Sequence, residues 1–174
     1  PARLMRLREK VETLRELGID QVVCLQFNSA LRSLTAEEFV SRVLVNGLST
    51  RYLIVGDDFR FGCDRSGDFA MLRKAGEHHD FEVQDTDTLE VDGRRVSSTL
   101  VRQVLSQSDF EGASLLLGRP FTIKGCVVYG QQLGKKLGFP TANVQLNRYS
   151  APISGVFAVL VTIAGDIYQG AANV

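Results

Sequence analysis

The hydrophobic pattern of this chain changes period once, near residues 106–118, and that change limits the possible folds more than any other feature. Before it, apolar residues recur at three- and four-residue steps or gather in short continuous runs, the marks of helices and buried strands in alternation. Leu4, Leu7, Val11, Leu14 and Leu17 define one face of a first helix, and Gly18 is its stop. Residues 20–27 (DQVVCLQF) predict a buried strand. Thr35-Ala-Glu-Glu38 predicts a capping box ahead of a helix carrying Phe39, Val43 and Leu44, closed by Gly47. Residues 51–56 predict a second apolar strand feeding the loop GDDFRFGCDRSGD. A helix to about His79, a strand over 81–85 and a hairpin turned at Asp92-Gly93 follow.

Alternation with short links predicts a parallel α/β sheet with helices on its faces. Ligands of such sheets lie beyond the carboxyl ends of the strands, where the loop after Gly56 falls. Past the polar break Ser106-Gln-Ser-Asp109 and a short helix ending at Leu117-Gly118, only strand-like runs remain, over 121–129, 142–146, 156–163 and 167–174. The expectation is a first domain at 1–106, a linker helix at 107–118, and a β barrel or sandwich at 119–174.

Charge narrows the function classes. Twenty Lys and Arg balance twenty Asp and Glu, so no global field draws the chain to nucleic acid or to an anionic membrane. The apolar run 155–163 is too short for a membrane-spanning helix. Cys24, Cys63 and Cys126 are odd in number and lack metal-ligand spacing, which favours reduced thiols in a cytoplasmic setting. His78 and His79 read as surface residues of a helix. The chain begins at Pro1 without a leader-like segment and stops at Val174 within an apolar run, so a piece of a longer polypeptide is expected.

Three segments carry chemistry. Residues 130–143, GQQLGKKLGFPTAN, place Gly130, Gly134 and Gly138 at four-residue steps, which lets backbone approach a ligand closely. Lys135 and Lys136 offer cationic heads to phosphate, and Thr141 and Asn143 offer oxygens suited to a hard cation. The same residues also fit a glycine-rich hairpin with solvated lysines. In Val96-Ser-Ser-Thr-Leu-Val-Arg102, Ser98 and Thr99 stand at a helix start with Arg102 a turn later, either a phosphate grip or a plain N-cap with a surface Arg. In Gly56-Asp-Asp-Phe-Arg-Phe-Gly62, two Phe flank an Arg. That suits an aromatic ring bearing phosphate, or a mobile acidic loop whose Phe residues tuck onto the core.

Together these motifs resemble one family. GFPTAN behind its glycine–basic stretch resembles the ATP–Mg²⁺ loop of riboflavin kinases, and Gly155-Val-Phe-Ala-Val159 and Gly170-Ala-Ala-Asn-Val174 resemble later strands of that six-stranded Greek-key barrel. SSTLVR resembles the triphosphate-gripping motif of the nucleotidyltransferase superfamily, and GDDFRFG resembles the flavin-side loop of the bacterial FMN adenylyltransferase module. Their order is that of the bacterial bifunctional riboflavin kinase/FMN adenylyltransferases, or FAD synthetases.

The resemblance implies a Rossmann-like nucleotidyltransferase domain followed by the kinase barrel. It implies ATP contacts at Ser98, Thr99 and Arg102, and flavin contacts at Asp58, Phe59 and Phe61. In the kinase part it implies ATP contacts at Gly130, Gly134, Lys135, Thr141 and Asn143, with Mg²⁺ at Thr141 and Asn143. Position 135 is commonly Arg in such kinases; Lys keeps the charge but loses the bidentate fork. Substrates would be ATP, riboflavin and FMN, the products FMN and FAD. The family's HxGH-type histidines and kinase Glu are absent from this span, so no catalytic residue is assigned within it. Two other readings remain: a different small-molecule nucleotidyltransferase, and a flavin- or nucleotide-binding module without catalysis.

Overall fold

A computed structural model describes residues 2–56, 58–131, 134, 138–139, 141–147 and 150–174. The chain forms two compact units, Val23–Arg95 and Pro1–Val22 with Val96–Val174.

In the 23–95 unit, Thr35 caps α3 (Ala36–Phe39) through the expected box: Glu38 N–H donates to Thr35 Oγ1 at 3.2 Å, and Thr35 N–H donates to Glu38 Oε2 at 3.0 Å. The helix continues as a π-helical turn over Val40–Val45, preceded in the chain by the single turn α2 (Ser29–Arg32). β1 (Tyr52–Gly56) and β2 (Glu82–Thr86) pair in parallel, Tyr52 opposite Glu82 and Gly56 opposite Thr86, with α4 (Phe69–His79) as the crossover. Asp68 caps α4 by accepting from Met71 N–H at 2.9 Å. The core is Ala36, Val40, Leu44, Phe61, Leu72 and Phe81, with Leu53 and Val55 of β1 and Val83 of β2 packed against it. The hairpin of β3 (Glu90–Val91) and β4 (Arg94–Arg95) turns at Asp92 and Gly93, with φ of 51° and 69°, as the Asp-Gly pair requires.

The other unit begins with α1 (Leu7–Glu16), and Gly18 at φ 88° stops the chain from continuing it. α5 (Ser98–Ser106) and α6 (Phe110–Leu117) pack through Val101, Val104, Leu105, Ala113 and Leu116; Gly118 ends α6 in the left-handed region at φ 66°. Two antiparallel pairs follow, β5 (Cys126–Val128) with β6 (Asn143–Gln145), and β7 (Val156–Ile163) with β8 (Asp166–Asn173). Phe110 meets Phe157 edge-on with ring centroids 5.2 Å apart, which fastens α6 to β7.

Among the described residues each sheet is a two-stranded pair, one parallel and three antiparallel. Two expectations change. Residues 20–27 form no strand, and Val23, Leu25 and Phe27 are 58%, 50% and 77% exposed. Apolar composition marks a run that can pair, but pairing needs a neighbour; β1 is laddered only to β2 among the described residues. The run expected over 121–129 shortens to three residues because its partner β6 is itself three residues long. No helix among the described residues is long and apolar enough to cross a membrane.

Candidate functional sites

The loop leaving β1 is a closed structure. Phe59 N–H returns to Gly56 O at 3.0 Å, starting a tight turn that carries Asp58 at the carboxyl end of the strand. Phe61 and Gly67 form a two-bond antiparallel bridge, with N–H to O distances of 3.1 and 3.0 Å. Between them Arg65 N–H donates to Gly62 O and Ser66 N–H donates to Asp64 Oδ1, both near 3 Å. That backbone donor holds the Asp64 carboxyl below the usual carboxylate range. Cys63 N–H also reaches Leu34 O at 2.8 Å, tying the loop to the segment before α3.

Of the three residues expected on the flavin side, Phe61 is 6% exposed and belongs to the core. Its ring lies 5.4 Å from that of Phe39 and 5.6 Å from that of Phe59, the latter pair stacked. Phe59 is half-buried, resting on the core from outside. Asp58 points outward, its Oδ2 receiving Arg95 Nη2 at 3.3 Å. Nothing in the sequence signals this Arg95 contact, since it joins the loop after β1 to a β4 residue 37 positions on.

The SSTLVR segment opens α5. Ser97, not one of the expected pair, is the cap: its Oγ accepts from Leu100 N–H at 3.2 Å. Ser98 and Thr99 are therefore the first two helical residues, both exposed beside the amino end. Three hydroxyl residues in a row hide which one caps, and only the Ser97 bond to Leu100 N–H identifies it. Arg102 is half-buried, and its Nε donates to Ala2 O at 2.7 Å.

In the GQQLGKKLGFPTAN segment Lys135, Lys136 and Pro140 lie outside the described residues. The remaining expected residues meet in pairs. A Cβ on Gly130 would collide with the Asn143 carboxamide, and one on Gly134 would collide with Phe139 O and Thr141 Oγ1. Phe139 N–H donates to Gly134 O at 2.8 Å, and the Thr141 hydroxyl donates to Phe139 O at 3.2 Å. Thr141 Oγ1 keeps its lone pairs while donating. Together with the Asn143 amide oxygen it offers neutral oxygen donors of the kind Mg²⁺ accepts when phosphates supply the negative charge. The chemistry of these residues therefore fits a phosphate-borne Mg²⁺.

Comparison with known proteins gives the family. Residues 1–100 match the FAD synthetase family model, and residues 117–174 match that of riboflavin kinase. Over the whole chain it is 53% identical to the bifunctional riboflavin kinase/FMN adenylyltransferase of Pseudomonas fluorescens. It is 49% identical over 175 residues to the protein of that name from Escherichia coli K12. The chain spans 56% of the length of each. A crystal structure described as that of a macrolide-efflux protein from Streptococcus pneumoniae superposes with a TM-score of 0.81 at 30% identity, covering 98% of this chain and 55% of that one. With more than half of its residues matched by the first model, and residues 117–174 by the second, the chain belongs to the FAD synthetase family.

Proposed function

We propose that this chain is part of a cytoplasmic enzyme that makes FMN from riboflavin and FAD from FMN, each with ATP. The observation that carries the reading is the pairing of Gly130 with Asn143 and of Gly134 with Thr141. A glycine loop folded against two oxygen-bearing side chains provides backbone to cover phosphates and donors for the accompanying cation.

In the kinase reaction, the 5′-hydroxyl oxygen of the ribityl chain forms a bond to the γ-phosphorus while the bond from that phosphorus to the β,γ-bridging oxygen breaks. ADP leaves, and the hydroxyl proton passes to a base supplied outside residues 1–174. Thr141 and Asn143 would hold Mg²⁺, which supplies charge neutralisation at the phosphates. Gly130, Gly134 and Lys135 cover the nucleotide. In the adenylyl transfer, an FMN phosphate oxygen bonds to the α-phosphorus of ATP and pyrophosphate leaves. Ser98, Thr99 and Arg102 steady that leaving group, where negative charge grows. For this, Arg102 exchanges the Ala2 carbonyl for phosphate. Asp58, Phe59 and Phe61 serve the flavin side, Phe61 from within the core.

The reading divides the chain at 1–106, a linker helix over 107–118 and 119–174. The first part is Rossmann-like, and the parallel β1–β2 pair with its helical crossover supports it. The last belongs to a six-stranded Greek-key barrel, for which the antiparallel β5–β6 and β7–β8 pairs would be components. The neutral charge supports small-molecule substrates rather than nucleic acid or membrane. The test is Asn143→Ala in the intact polypeptide, with FMN and FAD formation followed separately by chromatography. FMN formation is lost and FAD formation from added FMN is kept. Equal loss of both refutes the division of roles, and absence of both activities in the unaltered protein favours a binding module.

A further inference from the structure

The loop after β1 shows an arrangement that the assignment of flavin contacts leaves unexplained. Phe61, an apolar ring on a loop that should serve a ligand, is almost fully buried, and it is seated on a residue with no side chain. A Cβ built on Gly67 would lie 2.6 Å from both Cδ2 and Cε2 of Phe61 and 2.7 Å from its Cζ. Real Cβ atoms essentially never come so close to a ring. The ring therefore lies flat over the Gly67 backbone, while the Phe61–Gly67 bridge fixes the two backbones to each other. Phe61 also contacts Phe59, stacked at 5.6 Å with 23° between the planes. Gly67 and the half-buried Phe59 are thus both in contact with the same buried ring.

We propose that Gly67 is a positioning residue for the flavin: acting through Phe61, it sets the plane and height of the Phe59 ring, the surface on which an isoalloxazine stacks. The inference rests on the flavin reading of this loop and deepens it. Several constraints agree that the seat is rigid. Arg65 is held at φ 59°, a left-handed value unusual for a residue with a side chain. Gly62 adopts φ 85°, and a Cβ there would stand 2.9 Å from Ala36 N and 3.1 Å from its Cα, so the loop cannot lift away from α3 without losing that contact. Asp68, next in the chain, is the α4 cap, which anchors the far end. Phe61 has two aromatic neighbours, Phe39 and Phe59, with ring centroids 5.4 and 5.6 Å away. A methyl group at position 67 displaces the Phe61 ring against them and so shifts the Phe59 ring.

The experiment measures FMN binding by the intact polypeptide, using calorimetry and the visible difference spectrum of the flavin, together with the steady-state KM for FMN and for ATP. Gly67→Ala weakens FMN binding and raises its KM by roughly tenfold, the scale of one aromatic contact. It alters the difference spectrum and leaves the KM for ATP unchanged. Gly67→Ala combined with Phe61→Leu, which removes ring atoms from the collision, recovers part of the affinity. Should Gly67→Ala not fold, Phe61→Leu alone carries the test and must change the difference spectrum. Wild-type FMN affinity and spectrum in a folded Gly67→Ala protein, or in Phe61→Leu where that variant stands in, overturn the inference. Phe59→Leu separates the two levels. If it changes FMN binding while Gly67→Ala does not, only the positioning role fails; if it changes nothing, the flavin reading of the loop fails.

Discussion

The two glycine loops of this chain solve the problem of presenting groups to a ligand in opposite ways. The loop after β1 is built around a buried ring: Phe61 sits in the core, a backbone bridge closes residues 61–67, and a neighbouring segment holds Cys63. In the segment 130–143, the described contacts are backbone against side chain at Gly130 and Gly134, and the aromatic residue is turned outward, Phe139 being 80% exposed. A flavin offers a large apolar face, so its site gains from a rigid surface prepared in advance. Triphosphate and cation bring their own strong interactions, so a loop around them needs close backbone approach more than a core anchor.

The sharpest way to break the contrast is to truncate the two aromatics. Phe61→Ala should destabilise the 23–95 unit by about 3–5 kcal/mol, the usual cost of removing a buried aromatic ring. Phe139→Ala should change stability by no more than about 0.5 kcal/mol. Urea unfolding of both variants decides it. Comparable losses would mean that Phe139 is packed and that the loops are not built differently.

The second effect belongs to the other loop. Gly134→Ala places a methyl group where Phe139 O and Thr141 Oγ1 lie, so the loop must open and Thr141 must move. FMN formation should fall by roughly a hundredfold, as expected when positioning slips by about an ångström. The unfolding midpoint of the 23–95 unit should not move. Unchanged FMN formation would show that the Gly134–Thr141 contact does not serve the reaction.

The contrast also explains what the sequence could and could not reveal. Capping chemistry was legible because it is local: Thr35 with Glu38, Asp92 with Gly93, and Gly18 and Gly118 all act within four residues. Strand pairing was less so, since residues 20–27 have the composition of a strand and form none. At the sites, glycines and oxygen donors were readable as types in a spacing, and the resemblance supplied their roles. Which residue touches which was not readable. The seat of Phe61 on Gly67, the Asp58–Arg95 pair and the Arg102 bond to Ala2 O span 6, 37 and 100 positions. The Phe61–Gly67 seat was nearest to view, and the only trace it left was a second glycine just before the helix-capping Asp68.

A smaller effect asks whether the β1 loop is held by its ring or by charge. The Asp58–Arg95 pair, at 3.3 Å, has side chains 75% and 53% exposed, and such pairs contribute little once solvent screens them. Asp58→Asn should therefore shift stability by less than about 0.5 kcal/mol. If Asp58 meets the flavin, the same variant should weaken FMN binding several-fold more than it changes folding. Thermal unfolding and calorimetry on one preparation give both numbers. A large stability loss would make the pair, rather than Phe61, the anchor.

The smallest effect is in pH. Asp64 is the carboxylate within the closed turn, and its pKa is lowered chiefly by the hydrogen bond from Ser66 N–H. A carboxyl group depressed in the folded state stabilises it fully above the group's unfolded pKa, and that contribution is lost as pH falls through the folded value. The turn over residues 61–67 should thus loosen slightly below the usual carboxylate range. The described closures of segment 130–143, made by Gly134 O, Phe139 and the Thr141 hydroxyl, contain no titrating group and should not respond. Amide exchange at Ser66 and Phe139, measured at matched pH in the native protein and in Asp64→Asn, separates the two. Native and variant should differ at Ser66 near neutrality, converge once Asp64 is protonated, and agree at Phe139 throughout. No difference at Ser66 near neutrality would mean that the Phe61–Gly67 bridge and its ring, not the carboxylate, already hold the whole turn.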